Sequence, residues 1–394
     1  MTARPISMNP QPPQAASGTP TPAPVHRPDI FAKLDRFWHR LTEGLELAEL
    51  GRQFGADARA SYSFYNRDVQ RRSAQGARKP GFWHTFREFA WAILEKLSPP
   101  RRVLLFLAFV MLIFPGFNFR NGTGARVDVD FHFVAGGLLL LLLMLEIADR
   151  VIMKRDLEIA RDIQSWLLPA TAPPVPGLAI AFATKPANTV AGDFYDIFPR
   201  PGGSGFLLAV ADVVGKSIPA ALLMATFQAS LRTLSEISCP LGELVASMNR
   251  YACTNSGGGR RFTTAFFGEF DPASRALTYI NAGHNNPVLL RATGSIERLA
   301  SGGLPLGIQS DAAYETATVT LQPGDWLVIF TDGLVEAINA SGEEFDEQRL
   351  LPILQSAGNA TPEQLLRRVM SSLDLFVGNT PQHDDVTSMV IRVT

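Results

Sequence analysis

Apolar residues in the second half of the chain form short runs separated by turns rich in Gly, Pro and Asp. Runs of this length and composition are typical of buried β-strands. They predict strands at 178–183, 194–198, 205–213, 262–270, 277–282, 288–291, 326–330 and 388–393. Apolar residues at three- and four-residue spacing predict helices at about 219–234, 241–251, 346–355 and 362–376. The pattern therefore predicts an α+β domain over residues 170–394.

Two longer apolar stretches, at 103–119 and 131–147, precede this domain. Each is about 17 residues long, at the short end of the range for a helix that crosses a bilayer. A polar segment with two glycines, residues 120–124, separates them. We interpret residues 101–148 as two transmembrane helices that form a hairpin. A hairpin buried in a protein core is the alternative.

The charges around these stretches predict their orientation. Lys and Arg precede the first stretch and follow the second, whereas the basic residues between the stretches are offset by Asp128 and Asp130. Because basic flanks stay in the cytoplasm, both termini are expected to be cytoplasmic. The polar N-terminus has no apolar segment typical of a secretory signal, so the first span would itself direct insertion.

The N-terminal quarter of the chain gives weaker signals. Residues 1–28 are rich in Pro, Ala, Thr and Gln, a composition typical of disorder. Residues 29–100 have a helical pattern and form, in our interpretation, a cytoplasmic region of unknown role. Their aromatic and basic part would either lie on the anionic inner leaflet or pack on itself.

A helix-prone segment at 149–169 joins the second apolar stretch to the α+β domain. Its apolar residues Ile152, Ile159, Ile163 and Trp166 have coiled-coil spacing, although over few heptads. The spacing predicts a linker helix that regulates the domain and pairs with a second copy in a homodimer. The alternative is an amphipathic helix that lies passively on its own domain.

Composition excludes some classes of function. The hydrophobic share of 46% is high for a soluble protein and fits the two proposed spans. A net charge of −1 gives no electrostatic basis for binding nucleic acid. Two cysteines, Cys239 and Cys253, are too few for a disulfide scaffold and fit buried thiols in a reducing compartment.

Aspartates follow or precede several of the predicted strands. They occur in Gly192-Asp193, Ala211-Asp212, Asp332-Gly333 and Asp384-Asp385. Any one of these dipeptides alone is an ordinary turn sequence. Four together, at strand ends that a fold can bring close, predict a site for hard divalent cations, since Mg²⁺ and Mn²⁺ prefer carboxylate oxygens.

In order and spacing, these motifs resemble the SpoIIE/RsbU-type branch of the PP2C (PPM) metal-dependent protein serine/threonine phosphatases. The resemblance covers residues from about 156 to 394. Supporting matches are Ile163-Gln164, Leu167-Leu168-Pro169, Pro219-Ala220-Ala221-Leu222, Asn281-Ala282-Gly283-His284 and Gly303-Leu304-Pro305-Leu306-Gly307.

The resemblance implies a PP2C-like α-β-β-α sandwich that holds two Mn²⁺ or Mg²⁺ ions. It implies metal binding by Asp193, Asp212, Asp332, Asp384 and the backbone carbonyl of Val213. Asp385 and Asp196 would be further ligands or would orient the others. Water activated by the cations would attack phosphoserine without a covalent enzyme intermediate.

The proton donor for the leaving group stays open. Eukaryotic relatives place a histidine two residues after the second aspartate, where this chain has Val214, and the RsbU-type branch also lacks it. Metal-bound water, His284 or a substrate group are the candidates. Lys185 would either contact phosphate or lie solvated at a strand end. Gly215-Lys216 resembles the end of a Walker loop, but Val210 occupies the position of the first glycine.

The resemblance implies a protein serine phosphatase of a bacterial partner-switching pathway. With the two proposed spans, we expect it to be anchored in the inner membrane as a multi-pass protein. Its implied substrate is a phosphorylated STAS-type anti-sigma-factor antagonist. The alternative is a catalytically silent phosphatase-fold module that binds partners. The presence of every metal aspartate disfavours that alternative, because carboxylates held close together repel one another.

Overall fold

A computed structural model describes residues 97–114, 116–120, 126–201, 205–216, 218–255 and 261–394, together with Trp91 and Leu94. The side chains of residues 117–120 and 126–129 are outside this description. The interpretations of residues 1–28 and of most of 29–100 fall outside the described residues. The chain divides into two compact units, Met1–Leu142 and Leu143–Thr394.

The first unit departs from the expected transmembrane hairpin. Helix α1 spans Pro99–Ile113 and is followed by strands β1 (Phe117–Arg120) and β2 (Arg126–Val129), which pair antiparallel. The predicted first span is thus wrong at its end, because residues 117–119 are extended. At 15 residues, α1 is about 22 Å long, short of a hydrocarbon core of about 30 Å.

The second apolar stretch lies in helix α2, which runs without interruption over Phe131–Leu167 and so includes the proposed linker. In the described part of the chain, α2 alone has the length and the apolar window of a membrane span, with a mean hydropathy of 2.2. A multi-pass location is therefore not supported. The second compact unit begins inside α2 and contains the α+β region.

The α+β region contains each of the eight predicted strands and four predicted helices, with small shifts at their ends. Three short strands and one short helix were not predicted, because they are too brief for a recognisable period. In chain order the elements are β3 (Leu178–Lys185), β4 (Phe194–Pro199), β5 (Phe206–Val213), α3 (Ile218–Ser235), α4 (Leu241–Asn255), β6 (Thr263–Asp271), β7 (Ala276–Ala282), β8 (Val288–Leu290), β9 (Ile296–Arg298), β10 (Gly302–Gly303), β11 (Ala317–Thr320), β12 (Trp326–Phe330), α5 (Asp332–Val335), α6 (Asp346–Gln355), α7 (Pro362–Val377) and β13 (Val386–Val393).

The strands form two sheets. One has the order β10-β7-β6-β5-β4, with β11 also paired to β7, and the other has the order β3-β13-β12-β8-β9. Side chains from both sheets, among them Leu208, Phe266, Leu327 and Met389, form the core between them. Helices α3 and α4 cover the outer face of the first sheet, and α6 and α7 cover that of the second.

This layering follows from the two-residue period of a strand. In β5, Leu208 and Val210 point to the inter-sheet core, whereas Leu207 and Ala209 point to the helices. The expected α-β-β-α sandwich is thus present. Cys239 and Cys253 are free thiols and are only partly buried, which differs from the expectation that both are buried.

Candidate metal centre

Asp193 lies at the start of β4, on the face that points between the sheets. It shares this face with Tyr195 and Ile197, which belong to the inter-sheet core. The carboxylate is 1% exposed, and its Oδ2 accepts a 2.9 Å hydrogen bond from the hydroxyl of Thr331. Its Oδ1 is buried without a hydrogen-bond partner. A buried carboxylate oxygen in this state is suited to a cation.

Asp385, just before β13, ties this strand to the loop that carries Asp193. Its Oδ1 accepts from the backbone N–H of Ala187 at 2.7 Å, and its Oδ2 accepts from that of Gly192 at 2.6 Å. Both oxygens therefore hold the backbone ahead of Asp193. The geometry favours an orienting role for Asp385, which the sequence left open beside metal binding.

Two glycines allow the strand ends to approach. A Cβ at Gly192 would lie 2.9 Å from the carbonyl oxygen of Val213, and a Cβ at Gly333 would lie 2.1 Å from that of Asp385. Atoms that close would clash, so only glycine fits at either position without a shift. The first approach places the Val213 carbonyl beside the Asp193 loop.

Asp384 lies at the edge of the cluster, where Lys216 neutralises it. The Lys216 ammonium is 3.1 Å from Asp384 Oδ2 and also donates to the carbonyl of His383. Both side chains line a cavity of about 540 Å³ that also includes Lys185 and Gly333. The Lys185 ammonium lies 2.6 Å from Asp374 Oδ1 at the same cavity. Two lysines thus line this cavity, and each is paired with an aspartate.

The carboxylates interact strongly with one another. Burial, and then the charges of Asp332 and Asp384, raise the pKa of Asp212 to about 7. Burial, and then the charge of Asp212, raise the pKa of Asp193 well above its usual value. Burial also raises the pKa of Asp332 and of Asp385. The fold thus collects five aspartates whose charge a cation would offset.

The residues fit divalent cations in their chemistry. The five carboxylates and the Val213 carbonyl offer oxygen donors, which suit Mg²⁺ and Mn²⁺. Among the described residues, no group of three or more His, Cys, Asp or Glu side chains is arranged so that it could hold a metal ion as it stands. Like charges repel without a cation, and Lys216 draws Asp384 toward itself. The buried, unpartnered Oδ1 of Asp193 is the observation that favours a cation here.

Asp196 is not part of the cluster. It points to the opposite face of β4, where both of its oxygens accept from Arg232 of α3 at 2.8 Å. The suggestion that Asp196 is a ligand is therefore wrong. The pleat explains the error, because residues three apart on a strand face opposite sides.

His284 is buried, and its surroundings disfavour the role of proton donor. Its Nδ1 lies 3.3 Å from the hydroxyl of Thr264, and its Nε2 has no hydrogen-bond partner. Burial lowers the pKa of His284 to about 4, so the ring is neutral near pH 7. The neutral ring favours metal-bound water or a substrate group among the three candidate donors.

Three residues were given no role in the site by sequence reasoning. Thr331 contacts Asp193, Lys216 pairs with Asp384, and Gln164 bonds to the backbone of Ala191. Thr331 was recognisable as a hydroxyl between a buried strand and Asp332-Gly333. Lys216 and Gln164 carried no periodic signal, because their partners are remote in sequence.

A two-sheet sandwich with aspartates gathered at one end of the sheets is the architecture of the PP2C phosphatases. The family model for Stage II sporulation protein E (SpoIIE) matches residues 202–394. The sequence is 29% identical over 242 residues to the phosphoserine phosphatase RsbU of Bacillus subtilis, covering 61% of this chain and 70% of RsbU. The matched region is thus similar to the SpoIIE/RsbU branch of the PP2C phosphatases.

Two further comparisons define how far the likeness extends. The chain is 29% identical over 262 residues to protein IcfG of Synechocystis, covering 60% of this chain but 41% of IcfG. It thus spans less than half of that relative. The SiaA-PP2C domain of Pseudomonas aeruginosa superposes with a TM-score of 0.55 at 21% identity, over 63% of this chain and 99% of that domain. This likeness shows the fold.

Proposed function

We propose that this protein is a metal-dependent protein serine phosphatase. One observation carries the proposal: β4, β5, the β12–α5 junction and the segment before β13 bring five carboxylates to one end of the sandwich. The presence of this mutually repelling group supports catalysis over a silent binding module. The name of RsbU, a phosphoserine phosphatase, supports the same reaction.

In this proposal, Asp193, Asp212, Asp332, Asp384 and the Val213 carbonyl hold two Mn²⁺ or Mg²⁺ ions. When bound, these ions activate water and neutralise charge on the phosphoryl group. The chain itself orients the ligands: Thr331 holds Asp193, and Asp385 holds the backbone at Gly192. Lys216 and Lys185, which line the cavity beside Asp384, would attract the phosphorylated segment.

The proposed substrate is a phosphorylated regulator of the STAS type, in a bacterial partner-switching pathway. The resemblance to RsbU supports this choice. We further propose that α2 anchors the chain to the inner membrane through residues 131–147. The long side chains of this segment are mostly exposed, as expected of a surface that contacts lipid.

A homodimer through the linker part of α2 completes the proposal. Ile152, Ile159, Ile163 and Trp166 are 59%, 48%, 48% and 79% exposed, and they form one apolar stripe along the helix. A second copy of the same helix would bury that stripe at matching positions.

The deciding experiment incubates the full-length chain with phosphorylated STAS proteins, with Mn²⁺ in one arm and EDTA in the other. Metal-dependent phosphate release is the expected result, and Asp212→Asn is the inactive control. Binding of the phosphoprotein without release in any arm would instead identify a silent binding module.

A further inference from the structure

Helix α2 presents two different faces over its last turns. The outer face carries the exposed stripe of Ile159, Ile163 and Trp166. The inner face carries Leu157 and Ala160, which are half-buried, and Gln164, which is 8% exposed. Gln164 is thus a polar side chain buried on the face that packs against the α+β region. A buried amide at such a position needs partners.

Gln164 finds both of its partners in one residue. Its Nε2 donates to the carbonyl of Ala191 at 2.7 Å, and its Oε1 accepts from the N–H of Ala191 at 2.9 Å. The side chain therefore pairs with the backbone as a neighbouring strand would. Ala191 itself is 1% exposed, so water cannot replace Gln164 there without a rearrangement.

Ala191 leads directly into the proposed metal centre. The next residue, Gly192, donates to Asp385 and lies against the Val213 carbonyl, and Asp193 follows. The segment is thus held by Gln164 on one side and by Asp385 on the other. A shift of α2 would move the backbone from which Asp193 projects.

A second hydrogen bond fixes the same helix end, at the backbone of Leu167 and not at Ala191. Gln228 of α3 donates through Nε2 to the carbonyl of Leu167 at 2.5 Å. Docking of the helix end and contact with the Asp193 loop are therefore made by different glutamines. This separation allows the two roles to be tested apart.

We propose that Gln164 is a positioning residue that couples α2 to the metal centre by fixing the backbone ahead of Asp193. The inference rests on the proposed function for the identity of the cations. It also explains how a partner bound to the exposed face of α2 would affect the metal centre. A displacement of the helix would move Gln164 and, with it, the backbone of Ala191, and the affinity for cations would change. Gln164 touches neither cation nor substrate in this scheme.

The test measures Mn²⁺ binding to the full-length chain by calorimetry, together with hydrogen exchange over residues 190–193. Gln164→Leu removes both hydrogen bonds and should weaken Mn²⁺ binding by about tenfold or more, with faster exchange in this segment. Turnover at saturating Mn²⁺ should fall much less than the affinity. Gln164→Glu keeps the acceptor for the Ala191 N–H but places a second oxygen against the Ala191 carbonyl, so it should also weaken Mn²⁺ binding.

Two controls separate positioning from stability. Gln228→Leu loosens the helix end without touching Ala191, and Leu244→Ala opens a cavity in the remote core under α4. Both should lower thermal stability in EDTA while Mn²⁺ affinity stays within about twofold of wild type. Should Gln164→Leu bind Mn²⁺ like wild type, or Gln228→Leu lose as much affinity, the proposal is overturned.

The calorimetric result does not depend on phosphatase activity. If the wild-type chain binds Mn²⁺ in a Gln164-dependent manner but releases no phosphate from any phosphoprotein, the coupling stands and the proposed reaction fails. If phosphate is released in the presence of Mn²⁺ and Gln164→Leu leaves the affinity unchanged, the reaction stands and the coupling fails.

Discussion

The ammonium of Lys216 lies 3.1 Å from the carboxylate of Asp384, at the edge of five aspartates. This ion pair partly offsets negative charge where cations are proposed to bind. Lys216→Met should therefore tighten Mn²⁺ binding severalfold, because a competing positive charge is removed, and should destabilise the metal-free chain. Calorimetric titration with Mn²⁺ measures the affinity. Lys185→Met, which breaks a pair with Asp374 instead, is the matched control, and weaker binding in Lys216→Met would contradict the argument.

Replacement of a proposed ligand should abolish the reaction. Asp212→Asn or Asp332→Asn removes a ligand charge with little change in volume, so we expect a loss of turnover on the order of a hundredfold or more. Circular dichroism checks that the fold is retained. Asp196→Asn, on the opposite face of β4, is the comparison at a buried aspartate outside the cluster. Wild-type turnover of Asp212→Asn at saturating Mn²⁺ would exclude the two-metal assignment.

Membrane association should depend on the apolar part of α2. The full-length chain should stay in the membrane fraction after carbonate extraction, and Leu140→Arg with Leu141→Arg should release it, because charge at the centre of a span is costly. A cysteine at position 122 decides the number of crossings. If this cysteine is labelled from the periplasmic side while both termini are cytoplasmic, the chain crosses the membrane twice. If the two termini lie on opposite sides, α2 is a single span. A chain that is extracted by carbonate would contradict the anchor.

The apolar stripe of α2 should drive self-association. Ile159→Asp with Ile163→Asp places charges on two side chains that are each 48% exposed, so the monomer fold should survive while the dimer weakens. Analytical ultracentrifugation measures the association, and Mn²⁺ titration measures the effect on the site. Arg161→Asp, on the same helix but outside the stripe, controls for added negative charge. If the oligomeric state and the kinetics are unchanged, the segment only connects the two parts of the chain and does not regulate the site.

His284 should make the fold sensitive to acid. Its pKa is lowered to about 4 in the folded chain, whereas an unfolded histidine titrates near 6.5. Between pH 6.5 and pH 4 the unfolded chain binds a proton at His284 that the folded chain does not. The free energy of unfolding is therefore unaffected by this group above about pH 6.5, and it decreases as the pH falls toward 4. The loss would reach about 3 kcal/mol.

The measurement compares denaturant unfolding of wild type and His284→Asn across this pH range. Acidic residues titrate in both proteins, so the difference between the two curves isolates the histidine. We expect the variant to be less stable at pH 7 and to lose less stability on acidification. Parallel curves would contradict a neutral, buried His284.

The positions of strands and helices were predictable where the sequence pattern is long enough. Runs such as 326–330 and 388–393 are apolar over several residues and appear as β12 and β13. The short strands β9, β10 and β11 are partly exposed and carry no such run. The predicted end of the first span was wrong for a different reason. Residues 117–119 are apolar enough for a helix, but they form a strand that pairs with β2.

The sequence by itself determined most of the residues that carry the proposed chemistry, because aspartates beside strand ends are visible in the chain. It did not exclude Asp196, whose place on the opposite face of β4 is shown by its pairing with Arg232. The tertiary structure decided which groups set the charge and the orientation of these aspartates. Lys216 meets Asp384, Thr331 meets Asp193 and Gln164 meets Ala191 only when remote segments pack together. These contacts depend on the relative placement of two sheets and a helix. No local period encodes that placement, because the free energy of packing is shared among residues far apart in the chain.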